Sequence, residues 1–183
     1  MQRVREQVQV PEQLYDGQSN TSPAVIAVLD TGIAYHPDLA GKLLCFADFV
    51  EKRQLPYDDN GHGTHICGIL CGSGELSEGR FRGMAPGAKL VVGKVLDDNG
   101  EGSCDAMRDA LQWVLRLKNR YKIRILNISV GIGELKERYK EQVLREELEK
   151  LWDHNILVVC AAGNNGPVDG SISEMASSRK VLT

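Results

Sequence analysis

The stretch AVIAVLDTG, residues 24–32, is an uninterrupted apolar run that ends in Asp-Thr-Gly. A strand that is covered on both faces of a sheet is apolar at every position, whereas a strand with one wet face alternates apolar and polar residues. The glycine after the run predicts a tight turn. The stretch therefore predicts a buried strand of a parallel sheet, with the Asp30 carboxylate at its carboxyl end.

Similar strands alternate with helical segments along the rest of the chain. The predicted strands are 24–30, 42–49, 88–96, 123–130 and 155–163, and RKVLT (179–183) begins another. The predicted helices are 61–72, 103–120, with Ser103 as N-cap, and 134–154. The apolar side of the last helix carries Leu135, Tyr139, Val143, Leu144, Leu148, Leu151 and Trp152. This alternation predicts an α/β fold, a three-layer, mostly parallel sheet with helices on both faces.

Ligands of such sheets gather outside the carboxyl ends of the strands. The strand assignment therefore directs attention to four short segments, which are 30–32, 96–102, 127–131 and 163–166. We expect a functional site to be built from these segments and from the loops between them.

Composition excludes some classes of partner. A net charge of −3 and a pI near 5.8 give no reason to expect nucleic acid, and Lys122 and Arg124 are interpreted as a solvated strand edge. The apolar runs are too short to span a bilayer. The start, MQRVREQVQVPEQLYDG, is charged and lacks the apolar segment of a signal peptide. We expect a cytoplasmic protein; a secreted mature fragment and the oligomeric state stay open.

The five cysteines, at positions 45, 67, 71, 104 and 160, are scattered through apolar surroundings. Their odd number and spacing favour reduced, buried thiols over a disulfide framework. Cys67 and Cys71 could share a helix face, but a zinc site needs further ligands that the neighbouring sequence does not offer.

The stretch DDNGHGTHICGI, residues 58–69, holds two of the four histidines, His62 and His65. A metal site of the His-Glu-x-x-His kind needs a spacing of four and a glutamate, and both are missing here. An aspartic protease would need a second Asp-Thr-Gly or a symmetric dimer. Taken alone, the stretch could also be a glycine-rich turn with one satisfied histidine.

Five motifs, taken together, resemble the subtilisin-like serine proteases in order and spacing. They are VLDTGIAYHPDL (28–39), NGHGTHICGI (60–69), GMAPGAKLVVGKVL (83–96), LNISVG (126–131) and VVCAAGNNGP (158–167). The resemblance covers residues 23–183 and implies a subtilisin-like peptidase domain, preceded by an N-terminal extension over 1–22. It implies an Asp-His-Ser triad that hydrolyses peptide bonds in a polypeptide substrate.

The resemblance assigns roles to single residues. Asp30 matches the triad aspartate and His62 the general base, while Asn164 matches the side chain that donates to the oxyanion. His65 has no catalytic role in the family and is expected to pack or to hydrogen-bond within the scaffold.

Two segments match the walls that hold an extended peptide, Gly100-Glu101-Gly102 and Ser129-Val130-Gly131. Asp38 matches a calcium ligand of secreted members, but GSGELSEGRFRGMAP (72–86) lacks their asparagine-rich calcium loop. The chemistry requires no cofactor, and a structural calcium ion stays open.

The family's Gly-Thr-Ser-x-Ala nucleophile motif does not occur in the 183 residues. We expect the serine to lie beyond Thr183, so the chain itself is expected to be inactive and to expose apolar residues of strands 24–29, 123–128 and 156–161. A pseudoprotease that keeps the peptide cleft for binding is the alternative. A flavodoxin-like binding domain would explain the strands, but not Asp30, His62 and Asn164 together.

Overall fold

The computed structural model describes residues 2–9, 22–129, 138–164, 166–167, 169 and 171–183. Its helices are α1 (Gln2–Gln7), α2 (His62–Cys71), α3 (Cys104–Tyr121) and α4 (Arg138–Asp153). Its strands are β1 (Val25–Asp30), β2 (Leu43–Asp48), β3 (Lys89–Lys94), β4 (Ile123–Ile128), β5 (Leu157–Cys160) and β6 (Val181–Leu182). Each predicted element is present, the strands being shorter than predicted, and residues 134–137 of the predicted last helix lie outside the described part.

The six strands form one sheet in the order β2-β3-β1-β4-β5-β6, and every neighbouring pair is parallel. All of β1 is buried, as its apolar sequence predicts. The predicted α/β class with a parallel sheet is confirmed. Lys122 and Arg124 are exposed, as predicted, but the prediction that they mark an edge is wrong, because β4 pairs with β1 on one side and β5 on the other.

Helices cover both faces of the sheet. Successive side chains of a strand point to opposite faces, so Ile26 and Val28 pack on the side of α2, whereas Ala27 and Leu29 pack on the side of α3 and α4. This arrangement gives the three layers that the alternation of strands and helices predicts.

Helix α3 begins and ends for local reasons. The Ser103 hydroxyl oxygen accepts a hydrogen bond from the Ala106 amide at 3.1 Å, as the predicted N-cap requires. The helix ends at Tyr121, and the next residue, Lys122, has a left-handed φ of 57°, a conformation that terminates helices. Its fully buried apolar side chains are Met107, Ala110, Leu111 and Val114.

Helix α4 packs through leucines. Leu144, Leu148 and Leu151 are buried, and each contributes about 1.5–3 kcal/mol on burial. Trp152 is 44% exposed, so its predicted place on the buried side is wrong. The predicted contacts of Leu135 and Tyr139 lie outside the described residues and side chains.

The central strands are better covered than the sequence predicts. The prediction that strand 24–29 is partly exposed is wrong, since β1 is buried throughout. In strand 123–128, Ile123, Leu126 and Ile128 are fully buried and only the apolar side chain of Ile125 is partly exposed. The helices already cover the middle of the sheet. The exposure predicted for strand 156–161 is confirmed at Leu157 of β5, and Leu182 of β6 is exposed as well.

The cysteines agree with the expectation of reduced, buried thiols. All five cysteines are free thiols and four of them are buried. Among the described residues, no helix combines the length and the apolar character that crossing a membrane requires.

The amino end of α2 presses against the turn that follows β1. A methyl group on Gly63 would lie 2.2 Å from the Gly32 carbonyl oxygen, and one on Gly32 would lie 2.1 Å from the Tyr57 carbonyl oxygen. Three backbone segments therefore meet at a separation that only residues without a Cβ atom allow. This contact fixes how far the end of β1 lies from the first residue of α2.

Gly63→Ala should lower the free energy of unfolding by about 1–3 kcal/mol, because the added methyl group overpacks a backbone contact. Gly68→Ala is the matched control in the same helix. A methyl group there meets nothing within 4 Å, so it should raise stability by up to about 1 kcal/mol through helix propensity. Urea unfolding of both variants measures the difference, and equal stabilities would contradict the proposed contact.

Candidate active site

Asp30 and His62 form a hydrogen-bonded pair where β1 ends and α2 begins. His62 Nδ1 lies 2.7 Å from Asp30 Oδ1, and the Asp30 side chain is fully buried. Because an ionised carboxylate only accepts hydrogen bonds, Nδ1 carries the hydrogen. The Thr31 amide donates to the same oxygen at 2.8 Å. The carboxylate therefore fixes both the orientation and the tautomer of the imidazole.

The opposite edge of the imidazole is available for chemistry. The His62 side chain is 42% exposed, and its Nε2 atom has no hydrogen-bond partner among the described residues. With Nδ1 protonated, Nε2 is the basic nitrogen. The pair can thus remove a proton from a group that docks on the open side.

The second oxygen of the carboxylate, Asp30 Oδ2, is buried without a hydrogen-bond partner in the described part of the chain. A buried acceptor without a partner lowers stability. Functional sites commonly retain such groups.

The Asp58 carboxylate joins the segments that carry Asp30 and His62. Its Oδ1 accepts from the Thr31 hydroxyl and the Gly61 amide, both at 2.8 Å, and from the Asn60 amide at 3.3 Å. Its Oδ2 accepts from the Thr64 amide at 2.8 Å and the Thr64 hydroxyl at 2.5 Å. One side chain thereby binds the turn after β1 to the first turn of α2.

The two threonine hydroxyls extend this network in both directions. Thr31 Oγ1 accepts from the Gly63 amide of α2 at 2.8 Å, and Thr64 Oγ1 accepts from the Ala34 amide at 2.9 Å. Each hydroxyl donates to Asp58 and accepts from the opposite segment. Two hydrogen-bonded threonine hydroxyls thus connect the first turn of α2 to the turn after β1.

Hydrogen bonding determines the ionisation of Asp58. Burial alone would raise its pKa, but the hydrogen bonds from Thr64, Gly61 and Thr31 outweigh burial, so the pKa lies below its ordinary value of 3.8. The network therefore holds a carboxylate rather than a carboxylic acid at neutral pH.

Residues 100–102 form a rim in the loop after β3, and the Asn60 side-chain amide, which lies just before α2, donates to the Asp98 carbonyl of that loop at 2.9 Å. Asp97 binds back onto the segment, its amide donating to the Glu101 carbonyl at 2.8 Å and its carboxylate accepting from the Glu101 amide at 2.9 Å. Leu96 and Gly102 form an antiparallel bridge, in which the hydrogen bond is made by their neighbours Asp97 and Glu101. In such a non-hydrogen-bonded pair, the backbone groups of Gly102 point away from Leu96. Gly102 therefore offers a donor and an acceptor for an extended chain, and Gly100 turns the loop with a φ of 79°.

Other predicted site residues lie at the same edge of the sheet. Ser129 directly follows β4, and its hydroxyl oxygen accepts from the Asn127 side-chain amide at 2.8 Å. Asn164 follows β5 and is exposed. Val130 and Gly131 lie outside the described residues. Because the strands are parallel, their carboxyl ends bring Asp30, Ser129 and Asn164 to one side of the molecule.

Two predicted accessory residues behave differently. The prediction that His65 packs or hydrogen-bonds is wrong for its side chain, which is exposed and bonds to no described residue. Asp38 Oδ1 accepts from the Leu76 amide at 3.0 Å, so it holds the loop after α2. A calcium ion needs six to eight oxygen ligands, and the described residues bring no group of three or more acidic, histidine or cysteine side chains together.

Sequence reasoning missed Asp58 and Lys94. Lys94 ends β3, and its buried ammonium donates to the Thr31 carbonyl at 2.8 Å. A lysine within the apolar run AKLVVGKVL (88–96) and an aspartate just before a glycine-led helix were the available signals.

The structure thus combines a three-layer parallel α/β sheet with an Asp-His pair at the carboxyl edge of that sheet. The sequence profile of the subtilase family matches residues 21–183. The chain belongs to this family.

Named relatives agree with the family profile. The chain is 39% identical to serine protease AprX of Bacillus subtilis over 94% of its own length and 40% of that protein. It is 34% identical to thermitase of Thermoactinomyces vulgaris, over 79% of the chain and 49% of that protein. It is also 34% identical to the major intracellular serine protease of Bacillus subtilis, over 82% and 46%. The chain thus spans less than half the length of each of these relatives.

Asp58→Asn should make the acid limb of the stability curve shallower. The pKa of Asp58 is lower in the folded chain than its ordinary 3.8, so its contribution is complete above that value and is lost as the pH falls through the lower folded pKa. The variant should also lose about 1–3 kcal/mol at pH 7. Asp48, whose pKa is likewise lowered, should still make the free energy of unfolding depend on pH in the variant, so that part of the acid slope remains.

Urea unfolding over a pH series from about 7 to about 2.5 measures this slope. Asp109→Asn is the control, because that carboxylate is 53% exposed and its loss should leave the acid limb unchanged. A wild-type slope in Asp58→Asn would contradict the role assigned to the network.

Proposed function

We propose that this chain contributes the Asp and His of a serine endopeptidase, with the nucleophilic serine supplied by residues that follow Thr183. The observation that carries the proposal is the 2.7 Å contact between His62 Nδ1 and buried Asp30 Oδ1, with Nε2 on the exposed side and bonded to none of the described residues. Membership of the subtilase family supports it, as do relatives named serine proteases.

His62 acts as general base and then as general acid. Nε2 takes the proton of the serine hydroxyl as its oxygen attacks the substrate carbonyl, and returns it to the amine that leaves. Asp30 accepts the Nδ1 hydrogen bond throughout and stabilises the imidazolium that forms. The Asn164 side-chain amide donates a hydrogen bond to the oxyanion of the tetrahedral intermediate.

The substrate is an extended polypeptide that lies between two backbone segments. The outward-facing backbone groups of Gly102 pair with the peptide main chain on one side. Gly100 and Glu101 belong to the same rim, and Ser129, Val130 and Gly131 form the opposite one. A cavity of about 350 Å³ beside Gly102 offers room for a substrate side chain.

We place the whole protein in the cytoplasm, in keeping with the relative named a major intracellular serine protease.

His62→Ala should abolish labelling by a fluorophosphonate probe in the protein that extends beyond Thr183. The probe reacts with a serine that an adjacent base activates, and removal of the base leaves an ordinary hydroxyl. The 183 residues without the following segment should not be labelled. His65→Ala is the matched control, since it removes the exposed histidine of the same helix and should keep wild-type labelling.

Two outcomes would contradict this assignment. Labelling that persists in His62→Ala would mean that His62 is not the base. A wild-type protein that extends beyond Thr183, binds peptides and is never labelled would support the alternative, a pseudoprotease.

Asn164→Ala should lower kcat by about 10²–10³ and leave KM nearly unchanged, because the hydrogen bond is made only to the oxyanion. The control is Asn119→Ala, which removes an exposed amide at the end of α3, at the opposite edge of the sheet. Steady-state kinetics on a peptide substrate separates the two constants. A change confined to KM would mean that Asn164 contributes to substrate binding instead.

A further inference from the structure

Lys94 is a buried charge that the proposed chemistry does not use. It is the last residue of β3 and lies opposite Asp30 in the register of β1 and β3, and its side chain is only 1% exposed. Removing an ammonium from water is costly, and apolar residues often replace buried ion pairs with no loss of stability. Stability alone therefore does not explain a lysine at this position.

The Lys94 ammonium contacts both segments that carry the catalytic pair. It donates to the Thr31 carbonyl at 2.8 Å and to Asp59 Oδ1 at 2.5 Å. Thr31 directly follows Asp30, and Asp59 lies three residues before His62. The ammonium also lies 4.9 Å from the centre of the Tyr57 ring, which favours a cation at that distance.

Tyr57 connects this cation to a third strand. Its hydroxyl donates to Asp48 Oδ2 at 2.8 Å, and Asp48 is the buried last residue of β2. Asp48 also accepts from the amides of Val50, Glu51 and Arg53. The loop that leads to α2 is thus held against the ends of β1, β2 and β3 at once.

The neighbouring carboxylates Asp58 and Asp59 attach the loop before α2 to different parts of the site. All the hydrogen bonds of Asp58 go to the turn after β1 and to the start of α2. Asp59 faces the other way, toward Lys94, with 30% of its side chain exposed. Removing the contact between Lys94 and Asp59 should therefore loosen the loop on the side of β3 while the hydrogen bonds of Asp58 remain.

We propose that Lys94 is a positioning residue for the Asp30–His62 pair. Its ammonium joins the Thr31 carbonyl to Asp59, and thereby holds the end of β1 and the loop before α2 at the separation that the 2.7 Å contact requires. Its effect on turnover rests on the proposed function, whereas its effect on the His62 ring does not.

Lys94→Met tests the ring directly in the 183-residue chain. The unbranched apolar side chain fills most of the same space, and Asp59, being partly exposed, stays hydrated. In proton NMR spectra, the His62 Nδ1 hydrogen of the wild type should exchange slowly with water because Asp30 accepts from it. In Lys94→Met its exchange should accelerate at least about tenfold, and Asp30→Asn should remove the protected signal.

Lys89→Met is the matched control. Lys89 begins the same strand and donates to the Gly41 carbonyl at 2.7 Å, at the far end from the site, so its loss should leave the His62 signal unchanged. Asp59→Asn removes the charge partner without opening a cavity and should accelerate exchange in the same direction. It supplies the readout if Lys94→Met fails to fold.

Kinetics of the protein that extends beyond Thr183 gives the second arm. Small displacements of catalytic groups reduce turnover steeply, so Lys94→Met should lower kcat by at least about tenfold with KM within about twofold. If that protein has no peptidase activity but the His62 signal responds to Lys94→Met, the proposed function fails and the positioning role stands. Folded Lys94→Met with wild-type exchange and wild-type kcat would overturn the positioning role alone.

Discussion

The hydrogen bonds to Asp58 are the constraint on which the site depends. Asp30 is the last residue of a central strand, and His62 begins a separate helix. Neither element by itself brings the two side chains together. Asp58 accepts hydrogen bonds from both segments, and the glycine contact between Gly32 and Gly63 lets the backbones approach closely enough. Helix packing then needs only to support a geometry that the loop already defines.

A parallel sheet brings the residues of such a site together at one edge. Every strand ends at the same edge, so the end of β1 supplies a carboxylate, the end of β3 a cation and a rim, and the segments after β4 and β5 a hydroxyl and an amide. Below them, each helix layer packs on its own face of the sheet through a separate apolar cluster. Polar groups are therefore concentrated at one edge without interrupting the core.

Local patterns made much of this predictable from the sequence. A continuous apolar run identified β1, and the N-cap at Ser103 identified the start of α3, because both depend on neighbouring residues. Strand order is a long-range property, and the interpretation of Lys122 and Arg124 as an edge failed for that reason. The exposed Trp152 shows a related limit. Helical periodicity predicts which side of a helix faces the protein, but not how far the neighbouring layer extends along that side.

The residues that sequence reasoning missed are those whose partners are remote. Lys94 contacts Thr31 across 63 positions of the chain, and Asp58 contacts Thr31 across 27. Spacing within a motif carries no information about such contacts. The family resemblance indicated Asp30 and His62 but gave no physical account of how they are held together, which came from the hydrogen bonds themselves.

Under the proposed function, the loop at residues 97–102 has a consequence for the thermodynamics of peptide association. Asp97 fixes the backbone of Glu101 through two hydrogen bonds, so this rim has its shape before any peptide arrives. Ordering a loop on association costs conformational entropy, which reduces affinity. A peptide that docks against a rigid rim must order only itself. Flexible and stiff peptides of equal contact area should therefore differ in affinity mainly through their own entropy.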